Sequence, residues 1–186
     1  MTSFELPTSL EIGGVGYPIR TDFRDILYLL GVLADPEYEA DERGAILLRV
    51  MYENWEAIPP ERYREALEAA SAFIDGGLPR EKTAGPRVMD WEQDAALILP
   101  AVNRVLGTEI RSAPYMHWWT FLGAYMEIGE CLYANVLSIR RKRAKGKKLE
   151  SYEQEFYKAN RALVDLKKRQ TEQDTARKDA LKELFV

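Results

Sequence analysis

Apolar residues recur along most of the chain at steps of three and four, the period of helices with one buried face. Asp22 can cap a first such segment, in which Phe23, Ile26, Leu27, Leu30 and Leu33 share a stripe and Pro36 ends the run. A second segment covers residues 41–54 through Ile46, Leu47, Val50 and Met51. Pro59 and Pro60 open a third, with Tyr63, Leu67, Ala70 and Ile74 on one face and Gly76-Gly77 as its stop. Ahead of all three, residues 9–12 and 17–20 alternate in polarity around glycines 13, 14 and 16, the pattern of a small β-hairpin. Pro18 has no N–H to give to a ladder, which makes its strand an edge or an irregular one.

Residues 78–87, with two prolines, a glycine and scattered charge, have no period and read as a linker or long loop. Beyond them Asp90 and Gln93 resemble a capping box for a helix that carries Trp91, Ala95, Ile98, Val102 and Val105 to Gly107, kinked at Pro100. From Tyr115 onward Trp118, Leu122, Tyr125 and Ile128 keep the helical period while Trp119, Phe121 and Met126 take other faces, and a helix apolar on most sides is a buried one. A bend or short turn is expected at Gly129, followed by a helix bearing Leu132, Val136 and Ile139. After Gly146 the positions Tyr152, Phe156, Ala159, Leu163 and Leu166 alternate steps of four and three, the seam of a long packed helix.

In the same register that seam turns polar at Gln170, Gln173 and Arg177, so residues 167–179 read as a solvated helix or a frayed one. Leu181, Leu184, Phe185 and Val186 then form an apolar tip suited to a contact outside the stalk. The fold class expected is mainly α: a helical bundle with a small N-terminal β-hairpin and a long C-terminal helix. Residues 1–77 would hold the hairpin and a three-helix layer, and residues 88–166 a central helical region continuous with the same domain. Residues 167–186 would form a polar helical extension.

Composition narrows the class. At 186 residues, with 46% hydrophobic and 30% charged residues, the chain can bury roughly 70% of its unfolded surface without staples. One cysteine excludes an internal disulfide and fits a reducing compartment. No cationic start leads into an apolar run, so no secretory signal is expected, and no stretch reaches the ~20 apolar residues of a membrane helix.

Candidate chemistry is thin. His117 and Cys131 lie about 21 Å apart on a continuous helix, too far for a nucleophile–base pair, so His117 is expected to donate to a backbone carbonyl and Cys131 to act as a small apolar residue. Neither a metal set nor a nucleotide loop is apparent, and no catalytic residue or cofactor is expected. Asp90, Glu92 and Asp94 sit at a helix start, where they complement its dipole. Trp119, adjacent to Trp118 and about 100° from it around a helix, belongs either to an enclosed core or to a partner-facing surface. The sharpest feature is basic: Arg140, Arg141, Lys142, Arg143, Lys145, Lys147 and Lys148 fill seven of nine positions. They serve the dipole and solubility of their helix, or contact an acidic partner or nucleic acid, in which case seven phosphate contacts would give a log–log salt slope of about −6.

Several segments resemble a known family. LPTSLEI followed by GGVGYPIRTDFRD, VMDWEQDAALILPAVNRVLGTEI, HWWTFLGAYMEIG and VLSIRRKRAKGKKLESYEQEFYKAN, spanning residues 6–160, are similar to the Gp15-like proteins of tailed phages and prophages of Gram-positive bacteria. His117-Trp118-Trp119-x-Phe121 and residues 139–149 are the most specific parts. The family is encoded between the tail tube and tape measure proteins, which implies a non-enzymatic tail assembly chaperone of the host bacterial cytoplasm. Its implied partner is the tape measure protein, with self-association possible in principle and no membrane contact. The alternatives are a nucleic-acid-binding accessory protein that uses the basic run, or a structural component of the tail.

Overall fold

A computed structural model describes residues 4–78 and 85–167. Strands β1 (Ser9–Ile12) and β2 (Val15–Pro18) pair antiparallel, with Ser9 opposite Pro18 and Ile12 opposite Val15. Gly13 and Gly14, at φ of 57° and 82°, make the whole connection. Two consecutive positive φ values are those of a type I′ turn, so the second strand starts two residues earlier than the alternation of polarity implied. The turn is docked rather than free, because the Gly13 N–H donates to Glu65 Oε1 at 2.8 Å.

After the hairpin the chain stays extended and acts as a strap. Ile19 bridges Tyr52 and Asp22 bridges His117, while the Arg20 N–H donates to the Met51 carbonyl and the Trp118 N–H to that of Thr21. The strap thereby joins the end of α2 (Ala40–Met51) to the start of α5 (Trp118–Met126). Helix α1 (Phe23–Leu33) begins at Asp22, whose carboxylate accepts the Arg24 N–H. Helix α2 opens with a reciprocal capping box between Glu39 and Glu42. Two 3-10 turns, Trp55–Ala57 and Pro60–Arg62, lead into α3 (Tyr63–Ile74).

Helix α4 is Ala95–Leu106. Asp90 caps a separate turn ahead of it, accepting the N–H groups of Glu92 and Gln93, so the helix starts later than the capping-box pattern implied. Pro100 lies within α4. Its missing N–H would have met the Ala96 carbonyl, and both residues are exposed, so water can replace the bond. Helices α5 and α6 (Leu132–Ala144) are separated by a turn at residues 127–131, where Gly129 marked the break.

Helix α1 packs on α2 and α5, α2 on α3, and α4 on α5 and α6. One main core runs through this stack and includes Ile26, Leu29, Met51, Tyr52, Phe73, Ile98, Val102, Trp118, Phe121 and Tyr133, from both sides of the 78–87 segment. A smaller apolar cluster lies at the far end, where Val136 and Ile139 of α6 meet Val164.

The seam after Gly146 does not form one long helix among the described residues. Helix α7 (Ser151–Ala159) stops at Asn160, with φ −126° and ψ 34°, and a short α8 (Arg161–Val164) follows. The break turns Val164 back onto α6, burying it completely. The apolar-tip residues Leu181, Leu184 and Phe185, and all of the polar extension past Lys167, lie outside the described residues. No helix among the described residues is long and apolar enough to cross a membrane.

Candidate functional site

The basic run divides into two sets with different work. Arg140 is buried, and its side chain uses all five N–H groups. Nη1 and Nη2 donate to Asp94 Oδ2 and Oδ1 at 2.7 and 2.9 Å, Nε to the Val164 carbonyl at 2.6 Å, Nη2 to that of Leu163 at 3.0 Å, and Nη1 to that of Val88 at 3.2 Å. Asp94 is equally enclosed, and its Oδ2 also accepts the Asp90 N–H. A buried pair is tolerable only when both charges are saturated in this way.

Lys142 Nζ donates to both carboxylate oxygens of Glu153 at 2.8 Å, and Glu153 in turn accepts the Glu150 N–H in the capping box of α7. The Lys142 hydrogen bond, with that of the Glu150 N–H, holds the Glu153 carboxyl below its ordinary value of 4.5. Arg143 Nη1 meets Asp165 Oδ1 at 2.5 Å, and its guanidinium lies over the Tyr157 ring, 4.1 Å from the centroid. Three cations of the run therefore hold α7 and α8 against α6.

Arg141, Lys145, Lys147 and Lys148 are exposed and have no ion-pair partner among the described residues. They surround the end of α6, where Gly146 at φ 65° closes the helix: its N–H donates to the Arg143 carbonyl and the Lys147 N–H to that of Lys142. This Schellman arrangement reverses the chain and spreads the four cations around one corner. Against nucleic acid, four contacts in place of seven would flatten the salt slope to about −3.6.

Trp119 turns inward. Its indole Nε1 donates to the Phe73 carbonyl at 2.8 Å and its ring stacks on Phe73, while Trp118 Nε1 donates to the next carbonyl, Ile74, at 2.9 Å. The adjacent tryptophans thus donate to two carbonyls in the last turn of α3, where a helix leaves such groups without intrahelical partners; that of Phe73 also accepts the Gly76 N–H. His117 is buried and serves as the N-cap of α5, its Nδ1 accepting the Trp119 N–H while Nε2 lies 3.0 Å from the Pro7 carbonyl. The two contacts together fix the tautomer, with Nε2–H as donor, as the sequence led one to expect. Cys131 is not simply apolar filler, for its Sγ accepts the Ala134 N–H at 3.4 Å as the N-cap of α6.

Apolar side chains reach solvent where α4, α5 and α6 meet: Val105 is 39% exposed, Met126 58% and Leu132 49%. Arg104 Nη2 donates to the Glu130 carbonyl there and closes that end of the bundle. Among the described residues no group of three or more His, Cys, Asp or Glu side chains is placed to hold a metal ion. The family model described as Bacteriophage Gp15 protein matches residues 3–166. The chain belongs to the bacteriophage Gp15 protein family. The matched span takes in the hairpin, the eight helices of the described residues and both ion pairs on α6 that are fully or partly buried. No curated protein and no solved structure gives a significant match.

The burial of Arg140 had a readable signal. It continues the stripe Tyr133, Val136, Leu137 at helical spacing, as Asp94 does for Ile98. Two opposite charges on the buried faces of two helices are a pair in waiting.

Proposed function

We propose that this Gp15-family chain is a tail assembly chaperone, a non-enzymatic protein that binds the tape measure protein in the host bacterial cytoplasm while tail tube subunits polymerise around it. The family match over residues 3–166 carries this reading. The exposed apolar residues at the α4–α5–α6 end support it, because a long helical target presents apolar stripes before it is enclosed, and these can be covered reversibly by apolar contacts inside a polar rim.

Co-expression with the tape measure protein from the same phage is the test. The soluble yield of that protein should rise several-fold, and the two should co-purify. An unchanged yield, with both proteins folded, would sink the proposal. Mass spectrometry of purified particles separates a chaperone, which is absent from them, from a structural tail component. A second reading rests on Arg141, Lys145, Lys147 and Lys148 as a nucleic-acid contact, and retention on duplex DNA that charge reversal abolishes would favour it.

A further inference from the structure

The chain is electrically lopsided. Up to Leu78 it carries fifteen acidic and six basic residues, and beyond Leu78 it carries fifteen acidic and twenty basic ones. The basic residues of the first part are occupied. Arg20 and Arg43 bind backbone carbonyls, Arg24, Arg62 and Arg64 pair with Asp22, Glu65 and Glu68, and Arg49 lies over Trp55. Glu53, Glu56 and Glu61, on the connection between α2 and α3, are exposed and have no ion-pair partner among the described residues. The four cations at the end of α6 are in the same state with the opposite sign.

These two patches belong to elements that do not form a main packing pair with each other. Helices α2 and α3 pack on each other and on α1 and the hairpin, α6 packs on α4 and α8, and α5 lies between. Within one molecule no ion pair joins the two patches among the described residues. Between two molecules they are complementary, and both consist of long, exposed side chains at or beside a helix end, free to approach another surface.

We propose that Arg141, Lys145, Lys147 and Lys148 of one copy dock on the Glu53–Glu56–Glu61 connection of a second copy, so that the chain associates head to tail. Such a contact joins two different surfaces and leaves one of each open on every pair, which generates a ring or an open helical array rather than a closed twofold dimer. It forms quickly and is screened by salt, since its surfaces are charged and exposed. The inference is independent of the tape measure reading: self-association is measured on the pure protein, whereas that reading is measured by the solubility of another one.

Sedimentation velocity on the full chain tests it. At about 50 mM salt and about 100 µM protein, the weight-average mass should reach at least twice the monomer's 21.4 kDa, and it should return to that value at about 1 M salt, where the Debye length is about 3 Å. Two variants then assign the surfaces: Arg141→Glu/Lys145→Glu/Lys147→Glu/Lys148→Glu, and Glu53→Lys/Glu56→Lys/Glu61→Lys. Each alone should remain monomeric with the helical circular dichroism of the wild type, and an equimolar mixture of the two should associate again. A wild-type protein that stays monomeric at low salt overturns the proposal. So does a cation-reversed variant that associates as the wild type does, or a mixture that stays monomeric while both variants are folded. A monomeric wild type whose binding to duplex DNA is lost on cation reversal also overturns it, and assigns the four side chains to nucleic acid.

Discussion

Arg140 and Asp94, separated by 46 positions in sequence, form a two-point ion pair whose side chains are 6% and 2% exposed. Because Arg140 also donates to the carbonyls of Leu163 and Val164, one guanidinium joins the start of α4, the middle of α6 and the fold-back of α8. Replacing Arg140 with leucine would leave Asp94 charged, enclosed and without its cation. We expect a loss of about 3–5 kcal/mol in urea unfolding for Arg140→Leu, and a smaller loss for Arg140→Leu/Asp94→Leu than the two single changes sum to. Arg140→Lys should rescue little, since a single ammonium cannot reproduce five donors in a fixed plane. A loss below about 1 kcal/mol for Arg140→Leu would show the pair to be dispensable.

The two indoles at the end of α3 invite a graded comparison. Trp118 is buried and Trp119 only half-buried, yet each donates one hydrogen bond to a neighbouring carbonyl. Trp118→Phe leaves the Ile74 carbonyl enclosed without its donor and should cost about 1–3 kcal/mol. Trp119→Phe should cost less than half as much, because the Phe73 carbonyl keeps the Gly76 N–H as a donor. Equal losses in denaturant titrations would mean that packing volume, not the hydrogen bond, sets the cost.

Most of this architecture was legible from periodicity, and what was not has a common cause. The cap of α1 and the start and stop of α3 followed from Asp22, Pro60 and Gly76-Gly77, because those residues act on their own backbone. The basic run was legible as a cluster but not as two functions. Which cations are internal depends on Asp94, Glu153 and Asp165, and those partners come from three other segments. Trp119 was left open for the same reason, since its acceptor, Phe73, is 46 positions away. The seam after Gly146 misled for a different one. Tyr152, Phe156, Ala159 and Leu163 keep helical register across Asn160, but Val164 gains more contact with Val136 and Ile139 by folding back than a straight helix could give it. Helical register read from sequence says nothing about such a reversal when no Gly or Pro marks it.

The exposed apolar end of the bundle separates folding from partner binding. Met126 and Leu132 contribute little to the core, so Met126→Asp/Leu132→Asp should change stability only slightly, within about ±0.5 kcal/mol per site. If that end contacts the tape measure protein, the same variant should lower the co-expressed protein's soluble yield several-fold. Full retention of yield would move the contact elsewhere, with Phe4 and Leu6, both exposed, as the next residues to change.

Acid should release α7 and α8 before it unfolds the main core. Glu153 titrates below its ordinary value of 4.5, chiefly because Lys142 donates to it. A carboxyl depressed in the folded state contributes stability that is complete above the unfolded value and is lost as pH falls through the lower, folded one. The contribution of Glu153 should therefore be intact above about pH 5 and fade below about pH 4. Glu109, held down to about 2 by its hydrogen bond from Arg111, keeps its own contact through most of that range. Amide exchange in α7 and α8 should then accelerate between about pH 5 and pH 3, relative to its intrinsic rate, while α1 and α5 remain protected. Glu153→Gln keeps an acceptor for the Glu150 N–H but loses the charge, so its α7–α8 protection should already be low at pH 7 and change little with acid. If acid accelerates exchange equally in all helices, or the Gln variant retains the wild-type pH dependence, the Lys142–Glu153 contact does not hold this end of the molecule.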